Sequence, residues 1–260
     1  MNKQLLTICC ACDKTYLKYF TYLHKSILIN YPNCNIILRY VDDDLSLCDS
    51  IDSRVHIIHD KTPLSNKRNI LCRGVDDGHP RMKELSLRSR FMSERSCYCA
   101  HSKFLNAKQL LDEDYENILI MDVDAIVRKD LSSLVDIIRN CDFTIRSKKR
   151  KNDRIVNKNY PIFKEGVMGI NNTPGSKMFF TKVYNEICNI RDTDMYDFDT
   201  DSLAIGKVFF ENKDSVKYTK LPFTYKDTQY NDSSIIWSGK GDRKDKNSKY
   251  VSECENYRCH

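Results

Sequence analysis

Apolar positions along the chain follow two alternating rhythms. Leu5 to Cys12 is an apolar run interrupted only by Thr7, the length of a strand. Lys14 to Asn30 then carries Leu17, Phe20, Leu23 and Ile27 at helical spacing, and Asn35 to Val41 predicts a second strand that ends in Asp42, Asp43 and Asp44. Val55 to Ile58 predicts a third. Strand and helix in that order build a parallel sheet with helices packed on its faces.

The pattern continues to the end of the chain. Asp60 to Pro80 is rich in Asn, Gly, Pro and charge and reads as a loop, and Lys83 to Leu111 reads as helical with a break near Ser96. Ile118, Leu119, Ile120 and Met121 form the unbroken apolar run of a strand buried on both faces. Further helices are predicted over Leu131 to Arg139, Gly175 to Ile190 and Thr200 to Phe210. Further strands are predicted over Phe143 to Arg146, Gly166 to Asn171, Val216 to Leu221 and Ser234 to Trp237. Beyond Ser238 the sequence turns polar, which predicts a loop and tail. The expected organisation is one α/β domain over 1–245 and a polar tail over 246–260, with no internal repeat.

Composition narrows the classes. A chain of 260 residues buries about 70 to 75% of its unfolded surface, so core size is not limiting. The net charge of +6 suits a phosphate-bearing ligand and is too small to announce nucleic acid. Neither a cleavable leader nor an apolar span of about 20 residues is legible, which predicts a soluble cytoplasmic protein. Richness in Asn, Lys, Ile and Tyr fits an AT-rich genome, and for a virus the compartment would be the host cytoplasm. Most of the twelve cysteines sit in apolar segments, where a free thiol serves as a small core residue. Neither Cys97, Cys99 and His101 nor Cys254, Cys259 and His260 has the paired spacing of a zinc site.

The chemistry centres on Asp122-Val123-Asp124. Asp-x-Asp occurs six times here, so the triplet alone means little, but only this copy follows an apolar strand of such quality. On a strand, carboxylates at i and i+2 share a face about 6.6 Å apart, suited to one hard cation and its phosphate ligands. Open parallel sheets bind ligands beyond the carboxyl ends of their strands. The end of the first strand, Ala11, Cys12 and Asp13, is then a seat for a base or ribose. Phe163 to Gly169 sets glycines beside Glu165, where backbone can approach a ligand, and Trp237 to Lys244 combines glycines with lysines and an arginine suited to a diphosphate.

In order, these stretches resemble the glycosyltransferases of the GT-A fold, and most closely the family 8 type. The matching segments are Leu5 to Asp13, Ser102-Lys103-Phe104, "LIMDVDAIV", "EGVMGINNT", "DTDSLAI" and "IIWSGKGDRK", spanning about Leu5 to Lys244. The resemblance implies a Rossmann-like, mostly parallel sheet flanked by helices on both faces. It implies a nucleotide-sugar donor, UDP-linked by preference, and a metal, Mn²⁺ or Mg²⁺, on Asp122 and Asp124. Lys103 would touch sugar or phosphate, Gly166 would line the sugar, and Asp201 would face the acceptor or the reacting sugar. Val123 and Gly239 would border the donor, Lys240 and Lys244 would hold its diphosphate, and the anomeric outcome would be retention.

Two departures stand out. The family's late histidine, a third metal ligand, falls where this chain has Trp237, and Thr200 replaces the amide residue at the start of the acidic helix. Two alternatives compete. "LIMDVDAI" also resembles the nucleophile strand of haloacid-dehalogenase-like phosphohydrolases, although that motif opens its family's chains and Ile126 fills its hydroxyl or valine slot. The run Arg146 to Lys158, with seven basic residues and one acid, would suit a nucleic-acid-binding module, or an acceptor site for a glycan, a protein or a modified DNA base.

Overall fold

A computed structural model of the chain describes residues 1–64, 68–71, 91–148, 162–191, 193, 196, 199–239, 241 and 243–258. Among these, the main sheet has seven strands in the order β10-β8-β9-β6-β1-β2-β3. They are β1 (Leu6–Cys12), β2 (Asn35–Tyr40), β3 (Val55–His59), β6 (Asn117–Met121), β8 (Phe143–Lys148), β9 (Ile162–Asn171) and β10 (Tyr218–Lys220). Only β9 runs against its neighbours β6 and β8; the other pairings are parallel. The predicted mostly parallel α/β sheet is therefore present.

Period-two alternation divides the strands between two cores. Leu6, Ile8, Cys10 and Cys12 of β1, with Leu119 and Met121 of β6, meet α1 (Leu17–Asn30) and α3 (Ser132–Arg139) through Phe20, Leu23, Ile27, Leu134 and Ile138. Cys9, Ile118 and Ile120 face the opposite way, toward α2 (Glu94–Asp112), α4 (Pro174–Arg191) and α5 (Thr200–Asn212). Helices thus cover both faces. The cysteines of β1 are packing atoms: the ten described cysteines are free, and burial pushes the Cys9 thiol up to about 12.

The structure departs from the sequence reading in three places. Of the helix expected over Lys83 to Leu111, 83–90 lie outside the described residues, and Phe91 to Ser93 are strand; the helix starts at Glu94, where Ser93 caps it by accepting from the Ser96 N–H at 3.1 Å. A short ribbon precedes it: β5 (Phe91–Ser93), in the stretch read as helical, pairs antiparallel with β4 (Arg68–Leu71), in the stretch read as loop. The polar tail is not a tail: α6 (Arg243–Lys246) and α7 (Ser248–Asn256) follow, and Tyr250, Cys254 and Tyr257 pack with Trp237 in a third core. Those three residues lie at i, i+4 and i+7, a helical stripe hidden among charges. Of the basic run, 149–158 lie outside the described residues. Among the described residues no helix is long and apolar enough to cross a membrane.

Phe143 anchors the second core. Its ring is fully buried and stacks on Phe179 at 4.6 Å, with Phe163, Phe180, Phe209 and Tyr218 around it. Phe143→Ala removes the common member of these contacts and is expected to cost about 3–5 kcal/mol, measured as a lower midpoint of urea unfolding.

Candidate active site

The site grows from where β6 stops. Met121 is its last residue, and Asp122, Val123 and Asp124 form a turn into β7 (Ala125–Val127), closed by the Ala125 N–H donating to the Asp122 carbonyl at 3.0 Å. The two acids therefore do not lie on one strand face, as the sequence reading expected. A turn folds them together, leaving Val123 to bury its side chain in the first core.

Two glycines complete the cradle. The β8–β9 ladder shifts register after Ile145: Ile145 pairs Met168 while Arg146 pairs Lys164, so Glu165, Gly166 and Val167 bulge from β9. The bulge lets the Gly166 carbonyl accept from the Asp122 N–H at 2.8 Å. A Cβ on Gly166 would lie 2.2 Å from Asp122 Oδ2 and 2.2 Å from Lys226 Nζ, so only glycine fits. Gly239 follows β11 (Ile236–Ser238), which pairs antiparallel with β7, and donates to the Asp124 carbonyl at 2.8 Å. A Cβ there would stand 2.6 Å from the Asp124 carboxylate. Tyr250 of α7 also donates to the Asp124 carbonyl, at 2.6 Å.

Three lysines face these acids. Lys103 of α2 lies 3.1 Å from Asp201 Oδ2 and 3.7 Å from Asp122 Oδ1. Lys244 of α6 lies 2.7 Å from Asp124 Oδ2, with its ammonium 4.5 Å from the ring centres of both Tyr16 and Tyr19. Lys226 follows the turn Phe223–Tyr225. Asp201 sits in the first turn of α5, and its neighbour Ser202 donates to Glu165 Oε1 at 2.6 Å.

Burial and charge oppose each other here. Burial alone would neutralise Lys103, but Asp201, then Asp122 and Glu165, outweigh it and hold its pKa above the ordinary lysine range. Burial pushes Asp122 up, but Lys103, Lys226 and Lys244 outweigh it and hold the carboxyl low; 42% of that side chain remains exposed to the cleft. Asp124 goes the other way. Burial raises it, Lys244 offsets only part, and repulsion from Asp122 adds to the rise. Glu165 is raised by burial and then by Asp201.

The sequence-predicted residues divide accordingly. Lys103, Asp122, Asp124, Gly166, Asp201, Gly239 and Lys244 come together. Of the first-strand group, Cys12 is buried in the first core, Ala11 is half-buried, and the Asp13 carboxylate accepts from the Thr15 and Tyr16 N–H groups at the entry to α1. That entry reaches the site through Tyr16. Lys240 lies outside the described residues. Trp237 does not replace a metal ligand: its indole N–H donates to the Asn231 carbonyl, Arg128 stacks on it at 3.7 Å, and it packs in the third core. Sequence reasoning missed Lys226 and Ser202 and saw Glu165 only as an acid beside glycines.

The donor set is one of hard oxygens. Two carboxylates cradled by glycines suit Mg²⁺ or Mn²⁺, which complete their shells with phosphate oxygens and water. Among the described residues no group of three His, Cys, Asp or Glu side chains assembles.

Residues 7–249 match glycosyl transferase family 8. No curated protein matches the chain. Among solved structures it is similar to the glycosyltransferase GlyE of Streptococcus pneumoniae TIGR4, with 14% identity and a TM-score of 0.60 over 100% of this chain and 61% of that one. The chain thus spans less than two thirds of GlyE. It is also similar to galactosyltransferase LgtC, solved with donor and acceptor sugar analogues, with 14% identity and a TM-score of 0.56 over 97% of this chain and 94% of that one.

Lys244→Met leaves the Asp124 carboxylate buried without its partner, at a cost of roughly 3–5 kcal/mol near neutral pH. An acid whose native pKa is raised keeps a proton that the unfolded chain releases above about pH 3.9. The deficit should therefore be small near pH 4, grow as pH rises and level off above the native pKa, and Asp124→Asn in the same chain should relieve most of it. Chemical unfolding of both variants across that range measures the effect.

Proposed function

The chain belongs to glycosyl transferase family 8, and on that premise we propose that it transfers a sugar from a nucleotide-diphosphate sugar, a UDP-sugar by preference, to a glycan, protein or modified-base acceptor. The observation that carries this reading is the pair Asp122 and Asp124 on the β6–β7 turn, each pressed against a glycine and faced by buried lysines. A divalent cation, Mn²⁺ or Mg²⁺, would be held by these two carboxylates and would supply charge stabilisation for the departing diphosphate.

The remaining roles follow from placement. Lys244, buried against Asp124 and steadied by Tyr16 and Tyr19, would hold the diphosphate. Gly166 would line the sugar, its missing Cβ letting Asp122 and Lys226 close on the backbone beside it. Lys103 orients Asp201 and Asp122 through its two ion pairs, so Asp201 presents acceptor oxygens to sugar or acceptor hydroxyls. Ala11 to Asp13 lie at the carboxyl end of a central strand, where a base or ribose is seated in open parallel sheets. Retention of anomeric configuration is part of the proposal.

With the family shown, the phosphohydrolase alternative loses its support. Purified protein with Mn²⁺ is expected to release nucleoside diphosphate from one member of a nucleotide-sugar panel. Asp122→Asn and Asp124→Asn should each lower that rate on the order of 100-fold or more. Unchanged rates in both variants would remove the metal assignment, and hydrolysis of p-nitrophenyl phosphate in place of donor turnover would restore the phosphohydrolase. NMR of the first-formed product reads the anomeric configuration.

A further inference from the structure

Lys226 is a buried cation with no direct ion pair among the described residues. The residue is 9% exposed, yet its ammonium has no hydrogen bond and no carboxylate within 4.0 Å among the described residues. The nitrogen is not fully enclosed. The Lys226 ammonium and Asp122 Oδ2 both crowd the backbone of Gly166, each 2.2 Å from where a Cβ would stand, so the glycine is what lets the two side chains close on one another.

The backbone holds this ammonium in place. The Lys226 N–H donates to the Phe223 carbonyl at 2.9 Å, and its own carbonyl accepts from Arg146 at 3.0 Å. Arg146 in turn lies 4.4 Å from the Phe223 ring. The next residue, Asp227, is fully buried and accepts from the Gln229 and Asn231 N–H groups, the Asn231 amide and the Ser234 hydroxyl. Its N–H donates to Ile236, and its carbonyl accepts from Ser238. Lys226 thus stands on a turn pinned on both sides, with its ordering entropy spent before any ligand arrives.

An ammonium buried without a partner costs stability. Burial holds its pKa below the ordinary lysine range; Asp122 and Glu165 offset only part of this from a distance, because Lys103 engages Asp201 and Asp122 and Ser202 engages Glu165. What the ammonium lacks is a directly bonded oxyanion. We propose that Lys226 receives an anionic oxygen of the donor, supplied either by the sugar-side phosphate or by the carboxylate of a hexuronic acid. This rests on the donor reading above and adds to it a residue that selects the donor by charge. A charge-assisted hydrogen bond at a buried site is worth a change in affinity on the order of 10- to 100-fold.

The test is calorimetric binding of UDP, UDP-glucose and UDP-glucuronic acid, each with Mn²⁺, to the wild type, Lys226→Met and Lys226→Arg, alongside melting of the unliganded chains. Lys226→Met is expected to weaken binding about 10- to 100-fold, Lys226→Arg to restore part of it, and the unliganded Met variant to melt no lower than the wild type. Equal weakening of all three ligands assigns the oxyanion to the phosphate; weakening confined to UDP-glucuronic acid assigns it to the sugar carboxylate. Both outcomes support the proposal. Weakening confined to UDP-glucose makes the contact a hydroxyl and overturns it, as does unchanged binding of every ligand the wild type holds. A lower melting temperature in the Met variant makes Lys226 structural and also overturns it. If the wild type binds none of the three, the uridine-donor reading fails and this assignment falls with it.

Discussion

The register between β6 and β9 is the constraint on which the site depends. Met121 pairs with Val167, so the next step along the ladder sets Asp122 against Gly166, and the bulge opposite Ile145 and Arg146 turns the Gly166 carbonyl toward the Asp122 N–H. A slip of one residue would move the glycine away and put a side chain where the carboxylate and Lys226 now stand. That slip is opposed by both cores at once. Ile118 and Ile120 serve one, Leu119 and Met121 the other, and neither set can change face without exposing itself.

Above this frame the site is a balance of buried charge. Asp122 and Asp124 repel each other and would drift apart or protonate if left alone; Lys103, Lys226 and Lys244 make the arrangement tolerable. Each lysine comes from a different part of the chain: a long helix, a pinned turn and a short late helix. None is interchangeable with its neighbours, because each is already fixed by what it touches. Lys103 spans two acids, Lys244 is caged by tyrosines, and Lys226 alone is held by its backbone.

Much of this was legible because burial on both faces writes itself as an unbroken apolar run. β6 could be found that way, and its ending in two acids singled out one Asp-x-Asp among six. The family resemblance added Lys103, Asp201 and Lys244. Lys226 was not legible, since a lysine after "PFTY" carries no periodic signal and its burial follows from Asp227 gathering a loop around itself. The acids were expected on a strand face, and it is a turn that joins them. Trp237 was read as a vacancy in the metal shell, but alternation on β11 sends it into the core with Tyr230 and Tyr250. The last helix was missed because Tyr250, Cys254 and Tyr257 are separated by charged and polar residues.

That last helix gives the molecule an order of assembly. Asp124 is fixed by Lys244 and Tyr250, partners 120 and 126 residues further along the chain, whereas β1, β2 and β6 require nothing beyond residue 121 to align with one another. Contacts so distant in sequence form late, and during synthesis they wait for the emergence of their second partner. A nascent chain can therefore have its central parallel strands in register while its two carboxylates still face no lysine from the C-terminal side. Asp124 thus gains these two partners only after α6 and α7 have been made, long after the strand before it.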